Sequence, residues 1–73
     1  MDADNLIRMA NRIGDFFEAM PDREEALEGI ATHIRKFWEP RMRRQFLQAL
    51  DGGAEVKDVV RAAVVRHRGL LGG

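Results

Sequence analysis

Few residues of this 73-residue chain have side chains that could carry out catalysis. The sequence contains no cysteine, serine or tyrosine, so Thr32 is the one hydroxyl nucleophile and a serine-type triad is excluded. Neither His33 nor His67 has a catalytic partner at a fixed spacing, and two histidines without thiolates make a poor metal-ligand set. The glutamates within residues 24–28 are typical of the acidic start of a helix. The sequence therefore predicts no catalytic residue, no metal ligand and no cofactor in this chain.

One segment, residues 35–44, is unusual because five cations, the only tryptophan and a proline occur within it. Arginine and aromatic side chains are common anchors of protein interfaces. A second interpretation is a helix–helix corner in which Phe37 and Trp38 fill the core while the cations stay in solvent. The predicted partner-binding residues are Arg35, Lys36, Trp38, Pro40, Arg41, Arg43, Arg44 and Leu47.

Charge is distributed unevenly along the chain, although 12 basic and 12 acidic residues cancel. Residues 1–30 contain eight acids and three bases, a balance of −5, whereas residues 31–50 contain five bases and one acid, a balance of +4. A net charge of zero argues against a general nucleic-acid binder. A charge dipole of this kind can orient a small protein on a larger partner.

The spacing of apolar residues is helical throughout and predicts an all-α fold, a small bundle of three to four short helices in a single domain over residues 1–73. The predicted helices cover about 4–20, 22–38, 40–51 and 54–68, and residues 69–73 are predicted to be a flexible tail with two exposed leucines. Asp4 and Asp22 are the predicted N-caps of the first two helices, and Pro40 suits the first turn of the third.

Each predicted helix has an apolar stripe that should face the core. The stripe of the first helix is Leu6, Met9, Ala10, Ile13, Phe16, Phe17 and Met20, and that of the second is Ala26, Leu27, Ile30, Ala31, Ile34, Phe37 and Trp38. Arg43 and Leu47 lie beyond one edge of the third stripe. Gly14 is either a tolerated weakness in the first helix or a point where another backbone approaches closely.

Because the domain is so short, we expect a partner chain to contribute to its stability. A domain this short buries only about 60 % of its unfolded surface, and this one has no cysteine for a disulfide. The acidic N-terminus resembles neither a signal peptide nor a transit peptide, and no uncharged run approaches the ~20 residues needed to cross a bilayer. We therefore predict a cytoplasmic location.

Three ordered blocks of sequence resemble the delta subunit of soluble NAD-dependent formate dehydrogenase. These blocks are Asn11–Phe17, Pro21–Glu24 and Ile30–Arg43, and the Trp38-Glu39-Pro40-Arg41 corner is the most specific part. The resemblance covers about residues 5–50, so it gives the fourth helix little support.

The resemblance implies an accessory subunit that docks on the large catalytic (alpha) subunit, in a complex with beta and gamma subunits, and supports its assembly or cofactor loading. Such a complex is implied to contain a bis-molybdopterin (bis-MGD) molybdenum or tungsten cofactor, iron–sulfur clusters and FMN, none of them in this chain. Arg41, Arg43 and Arg44 are candidates to approach the anionic cofactor of the catalytic subunit.

Three alternatives stay open at this point. The first is a transient assembly chaperone of the same subunit. The second is a small helical nucleic-acid-binding module that contacts the nucleic acid with Arg41, Arg44, Gln45 and Gln48, and the third is an independent enzyme.

Overall fold

The computed structural model describes residues 2–72, and these residues form five α-helices without a β-strand. The helices are α1 (Ala3–Glu18), α2 (Arg23–Phe37), α3 (Pro40–Asp51), α4 (Asp58–Arg66) and α5 (Arg68–Gly72). The predicted all-α fold is confirmed. Helices α1, α4 and α5 all pack against α2, and the last residues of α2 begin the segment predicted to bind a partner.

Short polar side chains and a proline define where the first three helices begin. The Asp22 carboxylate accepts a hydrogen bond from the Glu25 amide at 3.2 Å, and Pro40 is the first residue of α3. The cap of α1 is Asp2 rather than the predicted Asp4, because Asp2 has the extended backbone that a cap requires and accepts from the Asn5 amide at 2.8 Å.

Helix α4 begins at Asp58, four residues later than predicted, because residues 54–57 are bound to α1 and α4 in a non-helical conformation. The Lys57 amide donates to Oδ1 of Asn11 at 3.0 Å. The Lys57 ammonium lies 2.7 Å from the Asp15 carboxylate and 3.3 Å from that of Glu18. These contacts attach the start of α4 to the outer face of α1.

Gly14 allows α4 to pack closely against α1. A Cβ atom on Gly14 would lie 2.6 Å from Cγ2 of Val60 and 3.2 Å from Cγ1 of Val59. The glycine therefore accommodates the side chains of α4, rather than the backbone of another helix. Its cost in helix propensity, about 1 kcal/mol, is offset by this contact.

The core lies between α2 and the other helices and contains most of the predicted apolar stripes. Phe46 is fully buried and packs edge-on against Trp38, with ring centroids 5.4 Å apart. The other buried apolar residues of this cluster are Leu6, Ala10, Leu27, Ile30, Ile34, Leu47, Leu50, Val59, Val60, Ala63, Val64 and Leu71.

Residues 69–72 are helical where a flexible tail was predicted, and of the two leucines predicted to be exposed only Leu70 is, at 38 %; Gly73 lies outside the described residues. Residues 68–72 form α5, and Leu71 is only 1 % exposed. The Arg68 guanidinium binds both carboxylate oxygens of Asp51, at 3.0 and 2.8 Å, and Arg35 donates to the Leu70 carbonyl at 3.0 Å. The segment is ordered because α2 and α3 together provide both an apolar pocket and hydrogen-bond partners for it.

We expect the attachment of α5 to weaken in acid. The hydrogen bond from Arg68 holds the pKa of Asp51 below its ordinary value of 3.8. A lowered carboxyl pKa stabilises the folded state above that ordinary value, and the contribution is lost as the pH falls through the lowered pKa. Asp51→Asn should therefore be less stable than the wild type at pH 7, and the difference should shrink as the pH falls below 3.8 and through the lowered pKa of Asp51. Urea unfolding across this pH range measures it.

Glu55→Gln is the matched control for this titration, because Glu55 is exposed and makes no ion pair with any residue of 2–72. A stability difference between Asp51→Asn and the wild type that stays constant from pH 7 to pH 2.5 would contradict the assignment to this ion pair.

Candidate functional site

The residues predicted to bind a partner divide between the interior and the surface. Trp38, Leu47 and Arg43 are buried, with exposures of 5, 6 and 7 %. The remaining five are exposed: Arg35, Lys36, Pro40, Arg41 and Arg44. The structure therefore brings the predicted residues into one region, but only the second group is accessible to another protein.

Arg43 is the buried charged residue at the centre of this region. Its Nη1 donates to the carbonyls of Trp38 at 2.8 Å and of Arg35 at 3.2 Å, and its Nε donates to the carbonyl of Leu71 at 3.2 Å. The Arg35 and Trp38 carbonyls belong to the last turn and C-cap of α2, where the helix provides no further amide to donate to them. Arg43 therefore joins the end of α2, the start of α3 and α5.

The expectation that Arg43 and Leu47 lie beyond the edge of the core is wrong, because α5 covers them. The Arg43 guanidinium donates to the carbonyl of Leu71, and a Cβ atom on Gly72 would lie 4.0 Å from Cδ1 of Leu47. Residues that form an outer edge in a bundle of four helices become interior when a fifth helix packs over them.

The exposed cations surround the bend between α2 and α3, and we call Arg35, Lys36, Arg41 and Arg44, together with Pro40, the cationic corner. Arg35 is used in part to bind the Leu70 carbonyl. Lys36, Arg41 and Arg44 make no ion pair and no side-chain hydrogen bond within residues 2–72. The corner is thus a set of solvated positive charges on a backbone that Arg43 holds in place.

A second surface, which the sequence did not predict, is aromatic. Phe16 is 73 % exposed and Phe37 is 70 % exposed, so the expectation that both face the core is wrong. A groove of about 340 Å³ lies between α1 and α2, and we call it the aromatic groove; its lining residues are Arg12, Ile13, Phe16, Phe17 and His33. Phe37 adjoins it, because its ring centroid lies 4.7 Å from that of His33.

Gly29 explains why Phe17 is partly buried while its neighbour Phe16 is exposed. A Cβ atom on Gly29 would lie 2.5 Å from Cε1 of Phe17, so the Phe17 ring occupies the space above this glycine. Adjacent residues of a helix point about 100° apart, so Phe16 cannot share that position. The sequence contained one indication of this: Phe16 and Phe17 are adjacent large residues in one apolar stripe, so both cannot occupy the same buried position.

Neither histidine side chain makes a hydrogen bond or an ion pair with another residue of 2–72. His33 is half-buried beside Phe37, as predicted for a boundary residue. His67 is the C-cap residue of α4, and its buried Nε2 has no hydrogen-bond partner within the part of the chain that the structure describes. Among residues 2–72, no group of three or more histidine, aspartate or glutamate side chains could hold a metal ion, and none of the described helices is long and apolar enough to cross a membrane.

Comparison with known proteins gives one match. The family model described as NADH-dependent formate dehydrogenase delta subunit FdsD matches residues 5–64. No curated protein and no solved structure matches the chain. The matched range contains nearly all of α1 to α4, including the cationic corner and the aromatic groove, and ends before α5. Because the match covers far more than half of the sequence, this chain belongs to the family of delta subunits of NADH-dependent formate dehydrogenase.

Proposed function

We propose that this delta subunit is a non-catalytic accessory subunit that docks on the catalytic (alpha) subunit of the complex through the cationic corner and supports its assembly or cofactor loading. The supporting observation is the set of three exposed cations, Lys36, Arg41 and Arg44, that have no ionic partner within residues 2–72. An acidic surface of a partner would complement them and direct the approach of the two proteins.

Rigid presentation of these cations also supports docking. Arg43 fixes the end of α2 relative to α3 through the carbonyls of Arg35 and Trp38. Lys36 and Arg41 flank that bend, so their backbone positions are set before any partner binds. Side chains on a fixed backbone lose less conformational entropy on binding than those on a mobile loop.

The cofactors of the enzyme are assigned to other subunits in this proposal. The implied cofactors are the bis-MGD molybdenum or tungsten centre, the iron–sulfur clusters and FMN. Arg43 is buried and donates from Nε and Nη1 to carbonyls of its own chain, so we do not propose that it contacts an anionic cofactor. Arg41 and Arg44 keep that role in the proposal, because both are exposed. A cytoplasmic location and an arrangement with beta and gamma subunits belong to the same proposal.

The experiment that tests docking is the triple variant Lys36→Ala/Arg41→Ala/Arg44→Ala, co-expressed with the other subunits of the complex. Charge complementarity lost at three positions should weaken association with the catalytic subunit about tenfold or more. Quantitative co-purification measures association, and metal analysis of the isolated catalytic subunit measures cofactor loading. We expect both to fall.

The matched control is Arg8→Ala/Arg23→Ala/Arg66→Ala, which removes the same number of positive charges from exposed positions elsewhere. Arg66 forms only an exposed ion pair with Glu24, so its loss costs little stability. Equal association of the two triple variants, or unchanged metal content in the corner variant, would contradict the proposal.

Size-exclusion chromatography of the native complex separates a resident subunit from a transient assembly chaperone. A resident subunit co-elutes at fixed stoichiometry, whereas a chaperone is found with the immature catalytic subunit and is absent from the mature complex. Both outcomes are compatible with docking at the cationic corner. They decide whether the contact with the catalytic subunit is permanent or transient.

A second candidate function, nucleic-acid binding, is favoured by one observation only: Arg41, Arg44 and Gln48 are exposed together on α3. The zero net charge of the chain opposes it. A mobility shift of duplex DNA or RNA at low salt, lost in the corner triple variant, would favour this function over docking.

A further inference from the structure

The aromatic groove has the features of a docking surface that the cationic corner does not include. Phe16 and Phe37 stand on α1 and α2 with more than two thirds of each side chain in solvent. Between them lie the rings of Phe17 and His33, with centroids 6.4 Å apart. A concave apolar surface with exposed aromatic rims is typical of protein interaction sites.

We propose that the aromatic groove binds an amphipathic α-helix of another subunit of the complex, which presents aliphatic side chains to Phe16 and Phe37 and a carboxylate to Arg12. Helix-in-groove recognition requires a furrow between two elements that run side by side. Helices α1 and α2 provide it, since residues 19–22 connect them and the two helices pack against each other.

The charge around the groove defines the partner further. Arg12 lines the groove and makes no ion pair or side-chain hydrogen bond within residues 2–72. The carboxylates of Asp15 and Glu18, the nearest acids on α1, are already bound by Lys57. Arg12 is the charged side chain that lines the groove, and an acidic residue on the incoming helix would neutralise it.

A second copy of this chain is a poorer occupant of the groove. In a two-fold contact the same surface meets itself, so two Arg12 side chains would enter one apolar interface. Like charges in such a contact are unfavourable. The partner helix must instead supply a carboxylate. The carboxylates of α1 nearest to Arg12 are already bound by Lys57.

The inference rests on the proposed function only in placing the partner within the same complex. The groove residues Arg12, Phe16 and Phe37 do not overlap the cationic corner. Variants of the two surfaces therefore report on them separately, and the failure of one leaves the result for the other intact.

Photo-crosslinking in the assembled complex identifies the occupant. Phe16 is replaced by the photoreactive amino acid p-benzoylphenylalanine, and the same replacement at Val65 is the control, because Val65 is apolar and 76 % exposed on α4. We expect illumination to join position 16, and not position 65, to a helical segment of another subunit with aliphatic and acidic residues at helical spacing. A cross-link to a second copy of this chain, to a non-helical segment, or to no protein at all would overturn the proposal.

Association measurements provide the second readout. Phe16→Ser/Phe37→Ser should weaken co-purification with the complex about tenfold, and Arg12→Glu should weaken it by a similar factor. Val65→Ser should leave association unchanged. All these positions are exposed, so the thermal midpoint of each variant should stay close to that of the wild type. If only the corner triple variant loses association, the groove proposal is wrong and the proposed function stands. If only the groove variants lose association, docking through the cationic corner is wrong and the groove proposal stands.

Discussion

Arg43→Ala should lower the free energy of unfolding by about 2–4 kcal/mol, a large part of the stability of a domain of this size. The substitution leaves the carbonyls of Arg35, Trp38 and Leu71 without the donors that they have in the wild type. Hydrogen bonds from a charged donor contribute about 1.5–3 kcal/mol each, and their sum is reduced here because one side chain makes all of them. Urea unfolding followed by circular dichroism measures the loss.

The neighbouring arginine is the control for this experiment. Arg44→Ala removes the same charge from an exposed position in α3 and should change stability by less than about 0.5 kcal/mol. Arg43→Lys keeps the charge but not the planar fork, so it should recover only part of the loss. Limited proteolysis after Arg68 should accelerate in Arg43→Ala, because α5 loses a hydrogen bond. Equal midpoints for Arg43→Ala and Arg44→Ala would show that the buried guanidinium is not a structural anchor.

Phe46→Ala should be the most destabilising single substitution that we predict, at about 3–5 kcal/mol. Phe46 is fully buried, and its ring packs edge-on against Trp38. Removing the ring loses its transfer free energy and leaves a cavity under the α2–α3 bend. The emission of Trp38, the only tryptophan, should shift to longer wavelength as water reaches it, so fluorescence and urea unfolding both measure the effect.

Phe37→Ala is the matched control, because it is the same substitution at a side chain that is 70 % exposed. Its effect on stability should stay within about 0.5 kcal/mol. The pair also separates stability from binding, since Phe37 belongs to the rim of the aromatic groove and Phe46 does not. A loss of stability in Phe37→Ala as large as that in Phe46→Ala would contradict the burial that the structure assigns to these two residues.

Helix α5 lies outside the range matched by the family model, yet it covers residues inside that range. Leu71 fills an apolar position beside Leu47, and its carbonyl accepts from Arg43. In this chain the C-terminal segment therefore covers Arg43, whereas Arg41 and Arg44 of the same helix stay exposed.

Local chemistry made much of the fold predictable. Asp22 and Pro40 mark helix starts because their effects are local. The Asp22 carboxylate accepts from an amide of the first turn, and Pro40 needs no amide donor at the first position of a helix. The apolar stripes of α2 and α3 predicted the core well, since a stripe about one third of the helix surface wide must be buried. The start of α4 was not predictable from residues near it, because the contact of Lys57 with Asn11 spans 46 positions of sequence.

The sequence predicted which segment carries the cluster of cations, but not which side chains of that segment are exposed. The cluster of cations at residues 35–44 and the resemblance to formate dehydrogenase delta subunits both indicated the α2–α3 bend, and the family match agrees with that resemblance. Periodicity placed Arg43 and Leu47 beyond one edge of the α3 stripe, but it could not show that α5 covers this edge. It also placed Phe16 and Phe37 in the core, because a helical wheel gives the direction of a side chain and not the extent of the neighbouring helix.

The amino-acid sequence by itself determined that this protein is helical, that it has no cysteine, serine or tyrosine, and which family it belongs to. Those properties depend on residue type and short-range order. Only the tertiary structure decided that Arg43 is an internal anchor, that residues 68–72 form a helix, and that two phenylalanines face solvent. Exposure of a side chain is a relation between segments distant in sequence, so it is established only when the helices pack together.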